Sequence, residues 1–148
     1  MIGLKRGDVS LYDHENEWDT EGERTVNELF EIFGGDARDI QHIGSTSVKS
    51  IKAKPIIDIA VAADSFERIL SHENELLQSG YHYRPDKTTD GEQLLFAKGS
   101  YYEGGDMQTH FIHVVKYNSM QWRNYINFRD FLNAFPEKAK QYESVKTG

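Results

Sequence analysis

The stretch "HIGSTSVKSIKAKPIIDIAV" (residues 42–61) decides the fold. Its first residues close a strand, "ARDIQHIG" (37–44), that stops at Gly44. The loop over 45–55 holds Lys49, Lys52 and Lys54, contains no acid, and closes at Pro55. "IIDIAVA" (56–62) then reads as a second strand, apolar on both faces and therefore expected in the middle of its sheet. A single aspartate, Asp58, interrupts that run. A carboxylate in such a strand is costly unless it is paired, hydrogen-bonded or bound to a metal ion. Asp58 and the loop before it are therefore the first place to look for chemistry.

The flanking chain supplies the rest of a compact fold. From Asn16 to Phe33, the spacing of Trp18, Gly22, Val26, Leu29, Phe30 and Phe33 is close to 3.6 with acids between, which predicts an amphipathic helix ended by Gly34 and Gly35. "VSLYD" (9–13) before it is expected to be a short strand or extended lead-in. After the central strand, "DSFERILSHENELLQSG" (64–80) predicts a second helix, capped by Asp64 or Ser65 and stopped by Gly80. Three more strands follow, over 81–84, 93–99 and 109–117, separated by polar loops that contain Gly91, Gly104 and Gly105. Ser119 caps a third helix over 120–135, and Pro136 opens a last one over 136–146. Helices and strands mix without strict alternation, so the class is α/β or α+β, a mixed sheet flanked by helices in one domain over 1–148.

Composition narrows the function. With no cysteine, disulfides and thiolate metal sites are excluded. The formal net charge of −7 sits in residues 1–40, where eleven acids face four bases, and the remainder is neutral. A nucleic-acid coat needs a basic stripe, and none is present, so nucleic acid is not the expected partner. No apolar run approaches the roughly 18–20 residues that span a bilayer, and the first residues lack a signal-peptide layout. A cytoplasmic location, away from membranes, is the expectation. The short acid-free segment 44–57 suits a small phosphorylated ligand better than a polymer.

A strand, a Gly-Ser turn and a second strand bearing an acid is the layout of a nucleotidyltransferase site. Gly44 has no Cβ to keep a phosphate away from the backbone. The Ser45 and Thr46 hydroxyls and the amides of the turn can donate to phosphate oxygens. Asp58 would hold a divalent cation that bridges those phosphates.

The wider sequence resembles the GrpB family, placed by similarity in the nucleotidyltransferase superfamily. The resembling segments are "LYDHENEW" (11–18), "HIGSTSV" (42–48), "AKPIIDI" (53–59), "HFIHVV" (110–115) and "FRDFLNAFPEKAKQYESVK" (128–146), in the family's order over nearly the whole chain. The resemblance implies a nucleotidyltransferase-like fold, with Gly44 and Ser45 on the superfamily's turn and Asp58 on its first metal-binding acid. Two departures stand out. The second acid expected two residues later is Ala60, which removes half of the usual grip on two ions. The proline expected after the turn is Lys49, which would loosen the loop and add a charge. Related domains also occur joined to a dephospho-coenzyme A kinase, so the resemblance implies an adenine nucleotide or a coenzyme A precursor as ligand.

His113 is the candidate partner for Asp58, either as a metal ligand or general base or as a hydrogen-bonded core histidine. Imidazole there would favour zinc or manganese over magnesium. His110 and His113 are three apart and therefore expected on opposite faces of their strand. His42 is expected to be structural. Lys54 is a phosphate contact or a solvated lysine, and Arg129 either reaches a ligand phosphate or braces its helix through Asp130. Three functions remain open: metal-dependent nucleotidyl transfer, a binding module that has lost two-metal chemistry, and a single-metal hydrolase built on Asp58, His113 and His42.

Overall fold

A computed structural model describes residues 1–87 and 92–147. Gly91, expected in a polar loop, lies outside the described residues. The chain runs β1 (Leu4–Lys5), α1 (Asn16–Phe33), β2 (Ala37–Ile43), β3 (Ile57–Ala63), α2 (Phe66–Leu70), α3 (Glu73–Gln78), β4 (His82–Tyr83), β5 (Gln93–Lys98), β6 (Met107–Gln108), β7 (His110–Lys116), α4 (Met120–Ala134) and α5 (Pro136–Thr147). Five strands form one sheet in the order β2-β3-β7-β5-β4. The β3–β7 pair is parallel and the other pairs are antiparallel, which makes the sheet mixed. β1 and β6 pair separately as a small antiparallel ribbon.

β3 is an interior strand, as its apolar composition requires, although β7 and not β3 is the middle one, and each face of β3 has its own cover. Ile57, Ile59, Val61 and Ala63 point with Ile112 and Val114 of β7 into a core closed by Trp18, Leu29 and Phe33 of α1. The opposite face carries Asp58, Ala60 and Ala62. There the two alanines and Val115 pack beneath Trp122, Tyr125 and Ile126 of α4. Small residues on β3 let that helix approach the sheet closely. A third cluster joins Val48 and Ile51 of the lysine loop to Leu132 and Ala139 of α4 and α5.

Three local expectations change, and one alternative is settled. The buried stripe of α1 is Trp18, Gly22, Thr25, Leu29 and Phe33. Thr25 replaces Phe30, which is 38 % exposed, because its hydroxyl satisfies itself on Glu21 within the same helix. The second helix breaks at Ser71, whose hydroxyl donates to the Arg68 carbonyl, while the next ring, His72, turns to Asp36 at 2.8 Å. Residues 9–13 form no strand; Tyr12 makes one isolated antiparallel bridge to Ala53. Lys49 does not loosen the loop. Its amide donates to Asn133 Oδ1 at 3.0 Å, a bond that a proline could not make.

Candidate functional site

Pairing register brings the chemistry together. Ile43 of β2 lies opposite Asp58, and β7 places Phe111 beside Asp58 and His113 beside Ala60, all on the α4 face. His113 Nε2 lies 3.0 Å from Asp58 Oδ1. The histidine's other nitrogen faces the Gln93 side-chain amide at 3.4 Å, and the Gln93 carbonyl accepts from the Tyr125 hydroxyl at 2.9 Å. An amide NH2 can only donate, so Nδ1 accepts and Nε2 carries the proton that Asp58 receives. Burial and the nearby Asp58 charge raise the Tyr125 hydroxyl above its ordinary pKa, which keeps it a donor.

Asp58 is less buried than its sequence context predicts. Its side chain is 30 % exposed where β3 meets solvent, and His113, not a lysine, is its ion-pair partner among the described residues. Gly44 has a reason beyond phosphate access. With φ +75° it adopts a backbone unfavourable for other residues, and a Cβ there would sit 2.9 Å from Asp58 Oδ2. The glycine makes room for the carboxylate itself.

After Gly44, residues Ser45–Ser47 form a short 3-10 turn, closed by amide bonds from Ser47 to the Gly44 carbonyl and from Val48 to Ser45. Ser45, Thr46, Lys54 and Asp58 line one concavity of about 290 Å³, bordered by Phe111 and Gln108. The Thr46 hydroxyl is already engaged, 2.9 Å from His42 Nε2. A second concavity of about 400 Å³, mostly apolar, is lined by Ile43, Asp58, His113, Tyr125 and Phe128. Asp58 stands on the ridge between the two.

His42 lies on the other face of β2, opposite Ile59, with its ring against α1. A side chain at Gly22 would collide with that imidazole, which explains the glycine inside the helix. Burial pushes His42 down to about 4, so it is neutral at ordinary pH. The three ligands of the single-metal hydrolase therefore do not converge: His42 and Asp58 are on opposite faces of the sheet. His110 also faces away, buried against Glu21 at 2.7 Å. Among the described residues, no group of three or more His, Asp or Glu side chains is placed to hold a metal ion.

The donor set does not fit a two-metal centre. Ala60 is fully buried beneath α4, and the His113 nitrogen that faces Asp58 carries a proton, so it offers an ion no lone pair. Arg129 is drawn away as well. Its guanidinium donates to Gln41 Oε1 at 2.8 Å and to the His42 carbonyl at 3.1 Å, and pairs with Asp130, which fastens α4 to β2.

Several residues that sequence reasoning missed hold the site in shape. Asn133 clamps the loop by accepting from Lys49 N and donating to the Ser47 carbonyl at 2.9 Å. Glu143 accepts from Lys52 N at 2.5 Å. These pairs are 84 to 91 residues apart and leave no local signal, although Asn133 and Glu143 fall inside the resembling segment 128–146. Gln93 and Tyr125 read as a strand end and a packing aromatic until the register is known.

A mixed sheet with a Gly-Ser turn and an in-sheet acid defines a protein of the nucleotidyltransferase-like fold. Solved structures agree. A cytoplasmic RNA terminal U-transferase matches with TM-score 0.59 at 16 % identity over 84 % of this chain, which spans 36 % of that enzyme. The conserved protein GrpB from Enterococcus faecalis matches with TM-score 0.82 at 27 % identity over 93 % of this chain and 81 % of that one. The model of the family described as GrpB protein matches residues 8–148. The glutamate-rich protein GrpB of Alkalihalophilus pseudofirmus is 40 % identical over 147 residues, 99 % of this chain and 83 % of that protein. The chain belongs to the GrpB family.

Proposed function

We propose that this protein binds a nucleotide or a related phosphorylated small molecule across the Ser45–Ser47 turn and Asp58, and that it does not run two-metal nucleotidyl transfer. The observation that carries this is the pairing of Asp58 with protonated His113 Nε2, next to an alanine sealed under α4. The phosphates would lie along Ser45, Thr46 and Lys54, and the apolar concavity at Tyr125 and Phe128 would take a flat ring. In this reading Asp58 is the protein's ligand to a divalent ion, and ligand phosphates complete the ion's shell. The fold shared with a terminal U-transferase supports a nucleotide as the first compound to try.

Thermal shift tests the proposal with nucleoside triphosphates, coenzyme A precursors and pyrophosphate, each with and without magnesium, manganese or zinc. A ligand at about 100 times its Kd adds roughly 2.7 kcal/mol, a rise of several degrees for a domain of this size. The expected result is a shift lost in Ser45→Ala and Asp58→Asn, with no product released from the triphosphate. Metal-dependent product formation would replace binding by transfer. No shift with any phosphorylated compound would end both ideas.

A further inference from the structure

We propose that Arg6, Arg84 and Lys87 form a second phosphate subsite, separated from the Ser45 turn by Phe111 and Gln108, that takes a phosphomonoester group. The three cations line a concavity of about 380 Å³ together with Gln108, Phe111 and His113. Among the described residues no acid lines it, although the chain as a whole carries −7. A concave surface of one sign concentrates counter-charge far better than scattered surface lysines do. Gln108 and Phe111 border both this concavity and the one at Asp58, so the two adjoin across those side chains.

The arginines are held in place. Pairing of β1 with β6 fixes the chain at Leu4 and Lys5, and the next amide, Arg6, bonds to the Asp106 carbonyl at 2.9 Å. The Arg6 guanidinium lies over the Tyr101 ring at 4.6 Å. Arg84 lies over Tyr102 at 5.2 Å and donates to its hydroxyl at 3.2 Å; that hydroxyl also receives Gln108 Nε2 at 2.9 Å. Planar guanidinium groups stacked on aromatic faces lose little further freedom when an oxyanion arrives, and they bind phosphate through paired N–H groups. Arg84 already pairs with Asp86, but that carboxylate is 58 % exposed. Asp86 is held through both its oxygens, at 3.1 and 2.8 Å, so a dianion competes with it for the same N–H groups, with the charges of Arg6 and Lys87 in its favour. The β1–β6 ribbon, which has no role in the main sheet, thereby acquires one: it carries Arg6 to the end of the groove.

The position of this phosphate relative to a first one rests on the ligand-binding reading above; the arginine subsite itself does not. Inorganic phosphate is titrated into the intact protein at constant ionic strength, and the Arg Nε–H signals and the amides of residues 44–47 are followed by NMR. The expected result is saturable movement of the Arg6 and Arg84 signals that survives Ser45→Ala. Arg6→Gln with Lys87→Gln, both exposed positions, should raise the Kd at least tenfold. Saturation of the arginines while nothing tested moves residues 44–47 would keep the subsite and sink the ligand-binding proposal. Movement confined to residues 44–47, a linear unsaturating drift of the arginines, or an unchanged Kd in the double variant would overturn the subsite. Adenosine 3′,5′-bisphosphate moving both sets at one equivalent would place both phosphates on one ligand. Phosphate saturating the arginines beside bound AMP would place them on two.

Discussion

Replacing Gly44 by alanine separates the two demands that position makes. The first is conformational: at φ 75° and ψ −174°, a side chain costs about 1–3 kcal/mol whatever surrounds it. The second is contact, because the new methyl would lie 2.9, 3.1 and 3.3 Å from Asp58 Oδ2, Cβ and Cγ. Forcing a methyl group into occupied space costs about 1–3 kcal/mol more. Together the loss is about 2–6 kcal/mol, against a typical domain stability of about 5–15. Urea unfolding reads it directly, with a midpoint lowered by about 1–3 M at an m-value near 2 kcal/mol/M. Asp58→Ala removes two of the three atoms the methyl meets, Oδ2 and Cγ, and keeps Cβ at 3.1 Å. Gly44→Ala should therefore cost about 1–2 kcal/mol less in the Asp58→Ala background than in the native one. Additivity of the two changes within about 0.5 kcal/mol would refute the idea that the carboxylate dictates the glycine.

Three further outcomes follow from the same geometry. Ala60→Asp, which writes the missing second acid back into β3, should destabilise the fold by several kcal/mol without creating metal-dependent turnover, since the position is fully buried under α4; gain of turnover in a stably folded variant would contradict that placement. Arg129→Met should cost about 1–3 kcal/mol in chemical unfolding by stranding Gln41 and the His42 carbonyl, with ligand affinity unchanged; a selective loss of affinity would return Arg129 to the ligand. Stability should fall as pH drops from about 6.5 to 4, because His42 stays neutral in the fold down to about 4 while the unfolded chain already takes up the proton. Below that, Glu21, held near 2 by Arg24 and His110, continues the loss as pH falls from about 4.5 toward 2. Unfolding curves across this range should show His42→Gln flattening the upper part of the slope, and an unflattened slope would count against the buried neutral imidazole.

The sheet and its long helices were readable because each solves a local problem. β3 shows its interior position in a run apolar on both faces, and α1 its buried stripe in a 3.6 spacing, although Thr25 takes the place expected of Phe30. The ribbon of β1 and β6 has two residues per strand, too few for any period to register. The facing of Asp58 and His113 depends on strand parity and then on which strands are neighbours, and only the first is written locally. Arg129, Asn133 and Glu143 act on backbone and side chains more than 80 residues away. From sequence alone, a helix that braces the site and one that contacts a ligand look the same.

The clamp on the lysine loop carries an evolutionary consequence. Asn133 and Glu143 grip main-chain amides and a carbonyl at Ser47, Lys49 and Lys52, while Val48 and Ile51 anchor the loop from beneath. The path of the loop is thus decoupled from the side chains it displays at 49 and 52. Mutation can redraw the charge at the rim of the groove without redrawing its shape. Related proteins sharing the clamp can diverge in what they bind while their backbones remain superimposable.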